Sequence, residues 1–275
     1  MKPSSVISEA VLPRTVARQH EAPCLSPAGR ETPHAKQAGE AGREPCSQCP
    51  TRHVCIAAKL PAGRLTEIPA WFRVSGVFAP GDVLFRAGDP AVSQFHVRSG
   101  MFKTFVINAQ GDEFVTGFHV AGDIIGCVAK AGRYVESAVA LETATLCELN
   151  LTALQNDAGG GAFAVLQALV GQIAEQAQRR LAHQLALSQT SAQLRFAAFC
   201  VSYAERLVAL NRCATYLPTP MSRTDLANYL GMTLESLSRL VSKLNCAGVI
   251  AAARDHIEVC QPRQLAAMAR PASCE

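Results

Sequence analysis

Cys46, Cys49 and Cys55 fall within a ten-residue window, in the order Cys46-x2-Cys49-x5-Cys55. Thiolates this close together either bridge as disulfides or share a metal. In a reducing compartment clustered cysteines point to metal binding or redox sensing rather than to a disulfide framework. Only three donors are local, so a fourth must come from the fold, and Cys127 and Cys147 are both eligible. Four thiolates hold zinc as readily as a 4Fe–4S cluster, and His53 beside Cys49 makes a Cys/His zinc site conceivable, so spacing alone does not separate the two. Their consequences differ. Zinc has no redox chemistry and would only stabilise the segment. A cluster at the edge of the protein, reached by oxygen, would be converted or lost and would release the segment from its distant ligand.

A second constellation lies near the C-terminus. Ser222-Arg223-Thr224-Asp225 sets a hydroxyl and a carboxylate three residues apart, a capping-box variant that starts a helix through Leu226, Ala227 and Leu230. Gly231 ends that helix. A turn through Met232 follows, and Thr233 caps a second helix to about Asn245, with Leu234, Leu237, Leu240, Val241 and Leu244 expected on its buried face. Glu235, Ser238, Arg239 and Ser242 stand at i, i+3, i+4 and i+7, so they project together from the early turns, where a recognition helix meets base edges. Arg239 suits a bidentate pair with guanine, Glu235 accepts from the cytosine amino group, and Ser238 suits thymine or its neighbour. A glutamate facing DNA is otherwise unfavourable, which argues for base reading. Thr233, Ser222 and Arg223 complete the expected DNA-binding set. Beyond Gly248, Val249-Ile250 and Ile257-Glu258-Val259 flank Arg254-Asp255 and read as a two-stranded wing able to touch phosphates.

These sites need elements to position them. Residues 1–43 mix Pro, Ala, Gly, Glu and Arg without apolar periodicity and read as a disordered tail, within which Cys24 is an unliganded thiol. Residues 44–158 comprise the cysteine segment and a sensor domain. From Phe78 to Leu149 this domain is short β-type runs between glycine turns at Gly81, Gly88, Gly100, Gly111 and Gly122, the pattern of a small antiparallel jelly roll. His96 and His119 fall within its strands and read as packing residues. A long helix is expected over 159–190, where Phe163, Leu166, Val170, Ile173, Ala177, Leu181 and Leu185 recur every three or four residues. This is nearly a heptad seam, buried most simply against a second copy of itself, and Leu166, Val170, Ile173, Ala177 and Leu181 form its centre. Glu175, Arg179 and Arg180 flank the seam, where charge could tune association. Residues 191–275 hold the winged helix-turn-helix. The fold class is therefore α+β.

The chain has 275 residues, 49% of them hydrophobic, enough for about two domains with apolar cores. A net charge of +4 does not by itself mark a nucleic-acid binder, but between residues 178 and 243 eight basic residues face three acidic ones, a local +5. No stretch has the length of a membrane span and the N-terminus lacks a secretion signal, so a cytoplasmic protein is expected. No glycine-rich dinucleotide loop and no Cys-x-x-Cys in a βαβ setting appears, so an enzyme is not expected.

The run Leu226-Ala-Asn-Tyr-Leu-Gly-Met-Thr-Leu-Glu-Ser-Leu-Ser-Arg239 resembles the helix-turn-helix of the Crp/Fnr regulators, in particular the Fnr branch. Gly117-Phe-His-Val-Ala-Gly-Asp123 and Leu141-Glu-Thr143 resemble its sensor domain, and the likeness spans residues 46 to about 260. It implies an N-terminal β-roll of the cyclic-nucleotide-binding kind, a long dimerisation helix, and a homodimer reading TTGAT-like inverted repeats, with RNA polymerase as a partner. It also implies that Cys46, Cys49, Cys55 and Cys147 hold a 4Fe–4S cluster, conversion of which by oxygen towards 2Fe–2S shifts the protein towards monomer. Cys127 then remains a spare thiol. The alternative within the same fold is a structural zinc site or a small-molecule effector. A cyclic-nucleotide sensor would cradle phosphate with an arginine where this chain has Glu136-Ser137-Ala138, and a carboxylate there repels it.

Overall fold

The computed structural model describes residues 46, 49–60, 71–126, 129–156 and 161–269. The expected tail with Cys24, and Cys127, lie outside the described residues. Ten strands open the fold: β1 (Phe72–Val74), β2 (Val83–Phe85), β3 (Ser93–Ser99), β4 (Met101–Ile107), β5 (Glu113–Val120), β6 (Ile124–Ile125), β7 (Ala129–Lys130), β8 (Arg133–Tyr134), β9 (Ser137–Ala140) and β10 (Thr145–Asn150). They pair antiparallel into one sheet ordered β1-β10-β3-β6, a second ordered β2-β9-β4-β5, and the small β7-β8 ribbon. The sheets face each other across Phe85, Phe95, Val97, Phe102, Ile125, Tyr134 and Leu146. At the centre the rings of Phe85 and Tyr134 stack at 3.9 Å. The strands are joined by glycines at positive φ. Gly100 turns β3 into β4 with φ 78°, and a Cβ there would lie 2.6 Å from the Thr143 carbonyl, so any other residue would force the hairpin apart.

Helices follow: α1 (Leu151–Gln155), the long α2 (Gly161–Leu187) and α3 (Ala192–Ala209). One stripe of α2, with Val165, Ala168 and Leu169, packs on the outer face of the β1-β10-β3-β6 sheet. The opposite stripe carries Phe163, Leu166, Val170, Ile173, Leu181 and Leu185, all exposed in the single chain. The C-terminal part is β11 (Tyr216–Pro218), α4 (Arg223–Tyr229), α5 (Leu234–Cys246), β12 (Ile250–Ala252), β13 (His256–Val259) and α6 (Pro262–Met268), with β11-β13-β12 forming the wing. This is a β-roll, a long helix and a winged helix-turn-helix. The DNA-reading part shares a core with β5. Phe118 meets the rings of Phe199 and Tyr229 edge-on, and Lys103 bonds Asp225 of α4 and Glu113 of β5 at 2.7 Å each. No helix among the described residues is long and apolar enough to cross a membrane.

Candidate cysteine site and DNA-reading face

Cys147 lies in mid-strand on β10, opposite Val74 of β1 and His96 of β3. Side chains alternate across a strand, so Cys147, Leu149, Phe72, His96 and Ile124 share the outer face of the sheet. The cysteine segment docks on that same face. Its short 3-10 turn, Ile56–Lys59, leads to Leu60, and Ile56 and Leu60 are buried with Trp71, Ile124, Leu149 and the inner stripe of α2. Each buried aliphatic side chain contributes about 1.5–3 kcal/mol, enough to seat the turn. Lys59 then pairs with Glu175 on α2. Gly122 receives the loop between Cys49 and Cys55. It holds φ 89°, and a Cβ there would stand 2.7 Å from Val54. His53 commits its Nε2 to the end of α3, 3.0 Å from the Ala209 carbonyl and 3.2 Å from the Asn211 amide nitrogen, and not to the thiols.

The fold brings the four cysteines together electrostatically. Burial, and then the neighbouring Cys49, Cys46 and Cys55, push the Cys147 thiol up to about 12, with Arg98 opposing. Burial and Cys49 likewise raise Cys46. Cys46 and Cys147 therefore stay protonated unless a cation bound beside them favours the thiolate. Cys49 Sγ lies 3.3 Å from the Thr51 hydroxyl, and no disulfide joins any of the four. Among the described residues no three Cys, His, Asp or Glu side chains stand close enough to hold a single metal ion as they are. The sulfurs are neighbours rather than a finished cage. All four donors suit soft iron or zinc.

Beside this site Asp123 ties three elements together. Its carboxylate accepts from Arg179 of α2 and Arg206 of α3, each at 2.9 Å, and caps Val120 N at 3.0 Å. Glu136, buried on the next turn of the roll, accepts from Arg180 at 3.1 Å and from the Thr116 hydroxyl at 2.8 Å. Glu136 is thus a buried anion paired with an arginine of α2. Arg179, Arg180 and Glu175, expected beside the pairing seam, each form an ion pair within the chain, with Asp123, Glu136 and Lys59 respectively. The two strand histidines also separate. Both are buried and held neutral, their pKa values lowered to about 4 by burial. His119 bonds Thr104 at 3.0 Å, whereas neither ring nitrogen of His96 has a partner among the described residues.

On α5, Glu235, Ser238, Arg239 and Ser242 are all exposed on one face. Arg239 and Glu235 pair across one turn, with side chains 79% and 72% exposed. Such a surface pair is worth about 0.3–0.5 kcal/mol, less than the about 1–3 kcal/mol of a good base contact, so it holds the guanidinium without competing with DNA. Thr233 caps α5 by accepting from Ser236 N at 3.1 Å. Ser222 and Arg223 have structural duties off that face. Ser222 and Asp225 form the reciprocal capping box of α4, and Arg223 donates to the Ala253 carbonyl, tying α4 to the wing at 3.0 Å. Leu234, expected in the core, is 46% exposed because the first turn of α5 projects beyond it.

Comparison with known proteins agrees with this division. Residues 76–156 match the cyclic nucleotide-binding domain family and residues 179–268 the Crp-like helix-turn-helix domain family. The fumarate and nitrate reduction regulatory protein of Salmonella typhimurium is 32% identical over 225 residues, 82% of this chain and 90% of that protein. Electron transport regulator A of Shewanella oneidensis is 32% identical over 214 residues, 74% of this chain and 82% of the relative. FixK2 from Bradyrhizobium japonicum shares the fold with a TM-score of 0.64 at 24% identity, covering 74% of this chain and 99% of its own.

Proposed function

The chain belongs to the Crp/Fnr family of DNA-binding transcription regulators, and from that premise we propose that it is an oxygen-responsive regulator of the Fnr type. It binds TTGAT-like inverted repeats as a homodimer while a 4Fe–4S cluster on Cys46, Cys49, Cys55 and Cys147 is intact, with RNA polymerase as its partner at promoters. One observation supports this reading: the segment bearing Cys46, Cys49 and Cys55 docks through Ile56 and Leu60 on the face of the sheet that carries Cys147, with Cys46 and Cys55 packed against the same cluster. The commitment of His53 Nε2 to the end of α3 favours an all-cysteine donor set over a Cys/His zinc site.

When bound, the cluster supplies an oxygen-reactive iron centre ligated by thiolates. The rest is done by the chain. Cys147 is fixed in the middle of a sheet, and the other three thiols lie on a segment whose anchors, Ile56, Lys59 and Leu60, press on α2. Holding both ends of this connection keeps the segment pressed under α2; releasing Cys147 loosens it. The outer stripe of the same helix carries the exposed apolar seam, so the grip on the thiols biases pairing of two chains. Pairing sets two α5 helices for two half-sites. Glu136 argues against a cyclic nucleotide as the effector.

Anaerobic purification tests the proposal. A brown protein with about four irons and four sulfides per chain, which shifts an inverted-repeat duplex and loses that shift on exposure to air, is expected. Cys147→Ser should abolish the air dependence. Colourless protein containing zinc, or parental operator occupancy indifferent to air, would overturn it.

A further inference from the structure

Along the seam between the cysteine sheet and α2, three side chains bury polar atoms that no described residue satisfies: Gln94 Oε1, both ring nitrogens of His96, and Gln172 Oε1. Strand register places His96 directly across from Cys147, and Gln94, two residues earlier, on the same outer face. Gln176, one turn beyond Gln172, donates to the Ile124 carbonyl at 3.0 Å, which sets this stripe of α2 over the same sheet. Two apolar side chains also flank His96. Phe72 meets its ring edge-on at 5.3 Å, and Ile124 is its partner on β6.

A buried donor left unpaired costs about 1–3 kcal/mol. His119, just as buried and two strands away, has its hydroxyl partner, so the fold can satisfy a strand histidine. It leaves unsatisfied the one beside the sulfur ligand. An imidazole has one N–H to give, and the electron-rich group nearest to it by register is the sulfur of Cys147.

We propose that His96 is a positioning residue of the cysteine site, its ring N–H donating a hydrogen bond to a sulfur of the group those cysteines hold, either Cys147 Sγ or an inorganic sulfide. This rests on the reading given under Proposed function. Donation to sulfur draws electron density from it, which makes the group harder to oxidise and slower to leave. The bare protein bears the cost of the unpaired ring, and the loaded protein recovers it.

The test uses full-length protein purified without oxygen, as the parent, His96→Leu and His96→Gln. Iron and sulfide are counted, iron release to a chelator is timed, and the iron–sulfur stretching bands are recorded in H2O and D2O. His96→Leu should release iron about tenfold faster or more and lose a deuterium-sensitive band, and His96→Gln, which keeps an N–H, should recover part of both. The metal-free His96→Leu protein should melt at the same or a higher temperature than the metal-free parent. A purely packing histidine would lower melting temperature and iron retention together. Equal release rates in all three proteins, with iron and sulfide present in the parent, would overturn this proposal alone. A parent that takes up no iron and sulfide would overturn it together with the cluster reading.

Discussion

Leu181 gives the sharpest test of whether two chains meet along α2. Its side chain is 56% exposed in the single chain, on the stripe shared with Leu166, Val170, Ile173, Ala177 and Leu185. Complete burial of a leucine is worth about 2–3 kcal/mol, and roughly half of that remains to be gained here. A symmetric dimer gains it twice, so Leu181→Ala should cost the dimer about 2–3 kcal/mol. At about 1.4 kcal/mol per tenfold, the dimer dissociation constant should rise about 30- to 140-fold. Sedimentation equilibrium of anaerobic protein over a range of concentrations reads this directly. Melting of the dilute monomer serves as the control, because Leu181 is not part of the single-chain core. A dissociation constant within about threefold of the parent, with the fold intact, would show that this stripe is not the pairing surface.

Asp123→Asn removes a buried carboxylate from two arginines on two helices and should destabilise the chain by about 3 kcal/mol, seen as a lower urea midpoint; an unchanged midpoint would mean that the junction is dispensable. Arg239→Ala should cost about 1–3 kcal/mol at one base pair of the half-site with an unchanged melting temperature, and equal binding of the parent to scrambled sites would contradict the role. His119 titrates with a definite sign. Burial outweighs Asp123 and Glu136 to lower its pKa to about 4, so the unfolded chain, near 6.5, takes up a proton first. The contribution of the neutral ring is full above about pH 6.5 and falls as pH drops towards 4, by up to about 3 kcal/mol. His119→Gln should flatten that part of the stability curve, and parallel urea midpoints from pH 7 to 4.5 would refute the assignment.

The features legible in the sequence are those that local rules govern. The glycine turns, the Ser222–Asp225 capping box, the Thr233 cap and the apolar period of α2 each depend on residues a few positions apart. Leu234 misleads for a local reason too, since i, i+3 counting ignores where a helix starts relative to its core. Helix α3 is legible by the same rule, since Phe196, Phe199, Cys200, Tyr203 and Leu207 stand at i, i+3, i+4, i+7 and i+11 on one buried face. The partners of Arg179 and Arg180 are not legible in the sequence, because their carboxylates sit more than forty positions earlier in the chain. His96 is indistinguishable from His119 until strand register sets it opposite Cys147. No periodicity carries that pairing.

The contact between His53 and the last turn of α3 joins the sulfur-bearing loop to the half of the protein that reads DNA, inside one subunit. Asn211, held at φ 57°, ends that helix just where the chain turns towards the wing. Two contacts therefore leave the cysteine segment, one to α2, whose outer stripe is the proposed pairing surface, and a shorter one straight to the chain's own reader. A lone subunit keeps the second, so the strength with which a single half-site is gripped should answer to the condition of the loop even where no dimer forms.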